Sequence, residues 1–300
     1  MISGLWFSGQ GAQNVGMAKS LFDADPDVKK LFEMADETLG FQISKFCFEG
    51  PMEELTKTSV CQPALYLHGI AAMTVLKKRD LLDNVRSTIG LSLGELTAHA
   101  SAETYSAEDG LKIVAERGRL MQEACESSKG AMTCLIGGTE EKVAEYCKEF
   151  DVDMGNLNCP GQIVISGEAD KILAAGAAAK ERKDFKMIAP LKVAGAYHSR
   201  LMEPARKAFE EFLQNIEFKS PKLAVFTNVT GEQVSDPQTI KEMLVKQVVS
   251  PVKWELCVKN ASKLGIEQYF ECGPGAVLAG LAKRIDPALQ VKSIADIRDI

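Results

Sequence analysis

Short apolar runs alternate along this chain with longer amphipathic stretches, and that rhythm constrains the fold more than any other feature. Residues 5–8 and 85–90 read as strands, each followed by a turn and a segment of helical spacing. Units of this kind pack as a largely parallel sheet covered by helices, so the chain reads as α/β. Asp25-Pro26 opens one helix, with Asp as N-cap and Pro at the first helical position. Its Val28, Leu31, Phe32, Ala35 and Leu39 share a face, and Gly40 ends it. A longer helix is expected over residues 107–127.

The pattern changes beyond that helix. Strands are expected at 131–136, 162–166 and 186–189, with helices at 140–150 and 168–182 between them. Ser127-Ser128-Lys129-Gly130 on one side and Gly195 on the other frame this block. The spacing suggests an inserted ferredoxin-like α+β subdomain over 128–195. The large domain then comprises 1–127 and 196–300. Its second half should hold a helix at 199–213, a strand at 223–227, helices near 238–248 and 252–263, a strand at 267–271 and a closing helix.

Charge and cysteine usage narrow the function. Thirty-five Lys and Arg stand against 41 Asp and Glu, a net charge of −6. Such a chain has no global field to draw in nucleic acid or an anionic membrane. The opening MISGLWFSGQ lacks the basic and long apolar regions of a signal peptide. The longest apolar stretch, 63–76, is shorter than a bilayer-spanning helix and contains His68. Eight cysteines are scattered without a CxxC pair, so no metal site is expected. Many sit in apolar runs, which points to a reducing compartment: cytoplasm, or plastid stroma or mitochondrial matrix for a mature organellar form.

Gly90-Leu91-Ser92-Leu93-Gly94 matches G-x-S-x-G, the tight strand-to-helix turn that presents a nucleophilic serine. The helix that follows would aim N–H groups at charge developing beside Ser92. Only three histidines can serve as its base. His68 lies in an apolar run and reads as a core residue. His99 is seven residues further along the same helix, about 10 Å along the axis, too far to share a proton. His198 sits in a turn before a helix and follows the serine in sequence, the order found in α/β-hydrolases. Arg117 falls beside the apolar face of helix 107–127 rather than on its polar face, so it needs a planar acceptor. A protein carboxylate or a substrate carboxylate would serve.

Other features carry less. Gly9-Gln10-Gly11-Ala12-Gln13-Asn14 fails G-x-G-x-x-G and has no phosphate-binding lysine, but its glycines could bring the Gln10 N–H to a reacting carbonyl. Gly273-Pro274-Gly275 reads as a structural strand-to-helix turn, and Asn158 to Gln162 as a turn entering a strand. Lys180, Arg182, Lys183 and Lys186 form a basic cluster whose default role is a solvated face.

The whole chain resembles the malonyl-CoA:acyl-carrier-protein transacylase family in ordered blocks. Phe7-Ser8-Gly9-Gln10-Gly11-Ala12-Gln13 resembles F-P-G-Q-G-x-Q, and Gln62-Pro63-Ala64 resembles T-Q-P-A. Gly90 to Glu95 resembles G-H-S-L-G-E, and Arg117 to Gln122 resembles R-G-x-x-M-Q. Asn158 to Gly167, Gly195 to Met202, Ser250 to Trp254 and Glu271 to Leu278 resemble the later blocks.

This resemblance implies an α/β-hydrolase-like core with a ferredoxin-like insert. It implies ping-pong transfer of malonyl from CoA to Ser92, then to the phosphopantetheine thiol of holo acyl carrier protein, with no cofactor. His198 would be the base, its ring oriented by the Gln247 backbone carbonyl. The N–H groups of Gln10 and Leu93 would form the oxyanion hole. Arg117 would bind the malonyl carboxylate, with Gln62 and Tyr197 beside the substrate. A monomer is expected, and the basic cluster could dock an acidic carrier. Leu91, Ser8 and Tyr197 depart from the family's His, Pro and Phe, which bears on acyl selectivity. A polyketide-pathway acyltransferase, a serine esterase or thioesterase, and a non-catalytic carrier-binding module are the other readings.

Overall fold

The computed structural model describes residues 1–300. The strands are β1 (Ser3–Phe7), β2 (Val85–Gly90), β3 (Gly130–Ile136), β4 (Asp153–Cys159), β5 (Gln162–Glu168), β6 (Met187–Pro190), β7 (Ala224–Phe226), β8 (Gln233–Val234), β9 (Gln268–Cys272) and β10 (Val291–Ile294). The first half's helices are α1 (Lys19–Ala24), α2 (Pro26–Leu39), α3 (Ile43–Glu49), α4 (Met52–Thr56), α5 (Thr58–Lys78), α6 (Leu93–Ser101) and α7 (Ala107–Glu126). The rest are α8 (Glu140–Phe150), α9 (Ala169–Arg182), α10 (Glu203–Leu213), α11 (Pro237–Gln247), α12 (Trp254–Ser262) and α13 (Val277–Ile285).

Two sheets result. The larger runs β10-β9-β1-β2-β7-β8 and is parallel except for the β7–β8 edge pair. The smaller runs β4-β5-β3-β6 and is antiparallel throughout. With α8 and α9 this second sheet is the β-α-β-β-α-β ferredoxin-like unit. An isolated parallel bridge joins the two units. The Leu157 N–H donates to the Val252 carbonyl at 2.9 Å, and the Val252 N–H to the Gly155 carbonyl at 2.8 Å.

Local signals explain the well-predicted elements. Asp25 caps α2 by accepting from the Asp27 and Val28 N–H groups, and Gly40 closes it in the left-handed region, at φ 71°. Ser106 caps α7 by accepting from the Asp109 N–H, with Glu108 and Asp109 in the first turn. One core packs α5, α6, α7 and α10 on one face of the large sheet. On the other face Trp6 stands edge-on to Trp254, with centroids 5.4 Å apart, and against Tyr269.

Three expectations need correction. The sequence reads as no more than a turn at the far end of β4: DMGNLNC has Gly and two Asn and few strand-favouring residues, and its pairing with β5 overrides that composition. The strand β10 was not expected; four residues at a sheet edge carry too little pattern. Finally, the apolar stretch at 63–76 is part of α5, 21 residues long and about 31 Å, so length does not exclude a membrane span. Burial gives α5 its role: 83% of its apolar window lies inside the protein, packed against α6 and α7.

Candidate active site

Ser92 occupies the sharp turn between β2 and α6, with φ 55° and ψ −109°. The turn closes only because two glycines flank it. A Cβ on Gly90 would lie 1.9 Å from the Gly94 carbonyl oxygen, and one on Gly94 would lie 2.1 Å from the Phe7 carbonyl oxygen. Asn228, fully buried just beyond β7, holds the turn. Its Oδ1 accepts from the Ser92 N–H at 2.7 Å, and its Nδ2 donates to the Gly90 carbonyl at 2.9 Å.

His198 meets Ser92 from the segment that follows the insert. Its Nε2 lies 2.7 Å from Ser92 Oγ, and its Nδ1 lies 2.9 Å from the Gln247 carbonyl oxygen. That carbonyl can only accept, so the proton sits on Nδ1 and the Nε2 lone pair faces the serine hydroxyl. Burial, and then the Arg117 charge, lower the imidazole pKa to about 4. The ring is therefore neutral at pH 7, as a base must be. Like Ser92, His198 has a positive φ, at 58°.

Arg117 projects from α7 into the same space. Gly118 lets α7 approach α5 closely; a Cβ there would lie 2.7 Å from the Thr58 carbonyl oxygen. This brings Arg117 to Gln62 of α5, whose Oε1 accepts from NH1 at 2.6 Å. NH2 donates to Gln247 Oε1 at 2.8 Å and to Ser92 Oγ at 3.3 Å. The guanidinium is 1% exposed, its Nε has no partner, and no carboxylate lies within ion-pair distance. The first of the two sequence alternatives, a direct protein carboxylate, is thus not realised. A buried cation with neutral acceptors and a donor to spare is a receptor for an anion.

The remaining expected residues converge on this point. The backbone N–H groups of Gln10 and Leu93 have no protein acceptor. Tyr197 lines the cleft, but its hydroxyl is tied down: it accepts from Gln10 Nε2 at 3.3 Å and lies 3.0 Å from Thr58 Oγ1. The cleft holds about 100 Å³, and Leu91, Met121, Met132, Leu191 and Val193 supply its apolar wall. A larger cavity, about 880 Å³, lies elsewhere, near the start of β2, and contains no nucleophile–base pair. His68 and His99 are both fully buried away from Ser92, His99 against Thr104. In the basic cluster Arg182 is held by Glu149 at 2.6 Å, while Lys180, Lys183 and Lys186 are exposed without ion pairs.

Sequence reasoning missed two members of this network. Asn228 carried one available signal: a polar residue just past the carboxyl end of a parallel strand, where α/β sites gather. Glu95 looked like an ordinary first-turn acid of α6, yet it is fully buried. Its Oε2 accepts from the Asn228 N–H at 2.9 Å and from Gln247 Nε2 at 2.6 Å.

Comparison with known proteins supplies the family. The family model described as acyl transferase domain matches residues 6–294. The malonyl CoA-acyl carrier protein transacylase of Bacillus subtilis is 38% identical over 295 residues, covering 97% of this chain and 92% of that protein. The polyketide biosynthesis malonyl CoA-acyl carrier protein transacylase PksC of the same organism is 41% identical over 283 residues, covering 93% and 95%. Among solved structures, a malonyl-transacylase in complex with its type II polyketide acyl-carrier protein superposes with a TM-score of 0.95 at 35% identity, covering 100% of this chain and 97% of that one. The chain therefore belongs to the acyl transferase domain family, the family of the malonyl CoA-acyl carrier protein transacylases.

Proposed function

We propose that this acyltransferase moves malonyl from CoA to holo acyl carrier protein through an ester on Ser92. The observation that carries the reading is the buried Arg117 guanidinium, 3.3 Å from Ser92 Oγ and without a carboxylate partner. A serine esterase has no use for a cation there.

The steps follow from the geometry. The malonyl carboxylate pairs with Arg117, which sets the thioester carbonyl beside Ser92. As Oγ attacks, His198 Nε2 takes its proton, and the Gln247 carbonyl steadies the imidazolium through Nδ1–H. The Gln10 and Leu93 N–H groups receive the oxyanion; losing one such donor typically costs ~3 kcal/mol. Collapse expels the CoA thiolate, which takes the proton back from His198. In the second half the pantetheine thiol gives its proton to His198 and attacks the ester; the Oγ–acyl bond breaks and His198 passes the proton to the departing Ser92 oxygen. The apolar wall disfavours water at the ester. A carboxylate on Arg117 also offsets the charge that depresses His198, so the base strengthens when substrate is bound.

The exposed Lys180, Lys183 and Lys186 are offered as a docking face for an acidic carrier, and charge reversal there should raise KM for the carrier alone. Eight buried free thiols suit a reducing compartment, cytoplasmic or organellar. The 41% identity to PksC favours a second reading, the same chemistry serving a polyketide carrier. Turnover compared between fatty-acid and polyketide carriers separates the two.

The direct test is intact mass spectrometry after mixing with malonyl-CoA and then holo carrier. A malonyl adduct that Ser92→Ala abolishes and the carrier discharges is expected. An adduct that decays into water at the same rate with or without carrier refutes transfer.

A further inference from the structure

Arg117 is a buried cation whose three hydrogen-bond acceptors, Gln62, Gln247 and Ser92, are all neutral. The charge is balanced one residue further out. Gln247 donates to the Glu95 carboxylate at 2.6 Å while accepting from Arg117 at 2.8 Å, so one amide joins the two charges. Because a carboxylate only accepts and a guanidinium only donates, this pair also fixes which way the Gln247 amide points. The other Glu95 oxygen, Oε1, is buried without a partner. Glu95 is thus a fully buried, partly satisfied anion with one relayed cation to compensate it.

We propose that Glu95 is the resident counter-charge of Arg117, acting through Gln247, and that it takes up a proton from solvent when a carboxylated acyl group occupies Arg117. The inference rests on the malonyl-transfer reading above. Its physical basis is competition. One cation cannot compensate two buried anions, so an incoming carboxylate raises the cost of ionised Glu95, and protonation relieves it. Glu95 is a positioning residue in this account, since it touches Gln247 rather than substrate. An acetyl group brings no charge and should provoke no proton uptake.

The surroundings suit this exchange. Burial lifts the Glu95 carboxyl to about 7, against hydrogen bonds from Asn228, Gln247 and the Thr227 side chain and, last, the Arg117 charge. The groups coupled to it are Arg117 of α7, Tyr105 before α7 and Cys257 of α12, with His198 beyond Gln247. On its own helix stands His99, and α5, packed alongside, holds His68 and Tyr66 buried. The strands β1, β2 and β7 present no buried titratable side chain. Both His68 and His99 are held far below neutrality by burial, so neither changes charge above pH 6.

The test is the ratio of Ser92 acylation efficiencies, kcat/KM, for malonyl-CoA over acetyl-CoA between pH 6 and 8.5. The pH dependence of kcat/KM reports the free enzyme and free substrate, so His198 and the CoA phosphates, common to both reactions, drop out of the slope of the ratio. Protonated Glu95 favours the carboxylate, so the ratio should fall as pH rises through about 7, by up to about tenfold per pH unit. In Glu95→Gln the ratio should be flat with pH and should exceed the wild-type ratio at pH 8. A flat ratio in the wild-type enzyme overturns the proposal, whatever the variant does. So does a Glu95→Gln enzyme that keeps the wild-type slope. A malonyl adduct with a flat ratio sinks this inference alone; no malonyl adduct at any pH sinks it together with the transfer reading.

Discussion

Asn228→Ala isolates what holds the nucleophile in place. Asn228 is fully buried, and its side chain makes two hydrogen bonds across the Ser92 turn, to the Ser92 N–H and the Gly90 carbonyl. Alanine leaves both backbone groups buried without that partner. Each such loss costs about 1–3 kcal/mol, so roughly 2–6 kcal/mol should go. That is within a typical total of about 5–15 kcal/mol, and the variant should still fold. At about 2 °C per kcal/mol for a chain this long, the melting temperature should fall by roughly 4–12 °C. The same bonds hold Ser92 at φ 55°, a backbone state that costs about 1–3 kcal/mol and relaxes once released. A nucleophile displaced by about 1 Å typically loses about 100-fold in rate. Two measurements decide: a thermal melt, and the rate of malonyl-adduct formation on Ser92 by intact mass. If the melting temperature stays within about 1 °C and acylation within about threefold of wild type, the turn is held by something else.

Three further outcomes are expected. Arg117→Ala should lower malonyl transfer by about 150- to 5000-fold more than acetyl transfer, since a buried pair broken on one side costs about 3–5 kcal/mol; equal losses would make Arg117 structural. Gly94→Ala must open the Phe7–Gly94 approach by about 1 Å, and should cut acylation about 100-fold; near-normal acylation would show a slack turn. Burial holds the His68 pKa at about 4, below its unfolded value, so the unfolded chain binds more protons and stability falls as pH drops from about 6.5 toward 4. Raised Glu95 acts oppositely between about 7 and 4.5, so the readout is a difference: His68→Leu should flatten the pH dependence of the unfolding free energy from urea titrations by up to ~3 kcal/mol, and an unchanged slope refutes the assignment.

What sequence made legible here was geometry that only particular residues permit. The Ser92 turn needs glycine at 90 and 94, and those glycines stand in the sequence. His198 emerged by elimination among three histidines, and Arg117 by its position beside an apolar face. Glu95 and Asn228 stayed hidden because nothing local marks an acid or an amide as buried; burial is decided by α7, α11 and β7, all distant in sequence. The helix α5 was obscured for the opposite reason. It is apolar on nearly every side, which leaves no periodicity to read. In β4, composition argued against a strand that neighbours impose.

The backbone bridge between Asn156 and Val252 sets a limit on motion. It stitches the smaller sheet to the segment that leads into α12, and Arg200 adds a salt bridge to Asp153 beside it, at 2.8 Å. His198 stands two residues before Arg200, hydrogen-bonded to Ser92 and to the Gln247 carbonyl. A clamshell opening would have to tear two backbone hydrogen bonds and the Arg200–Asp153 pair, while His198 stays anchored on the Gln247 carbonyl. The slot therefore has a fixed gauge, and a thioester must thread into it on a slender arm rather than be swallowed by closing jaws. The long, thin pantetheine tether common to CoA and the carrier is the shape such a slot admits.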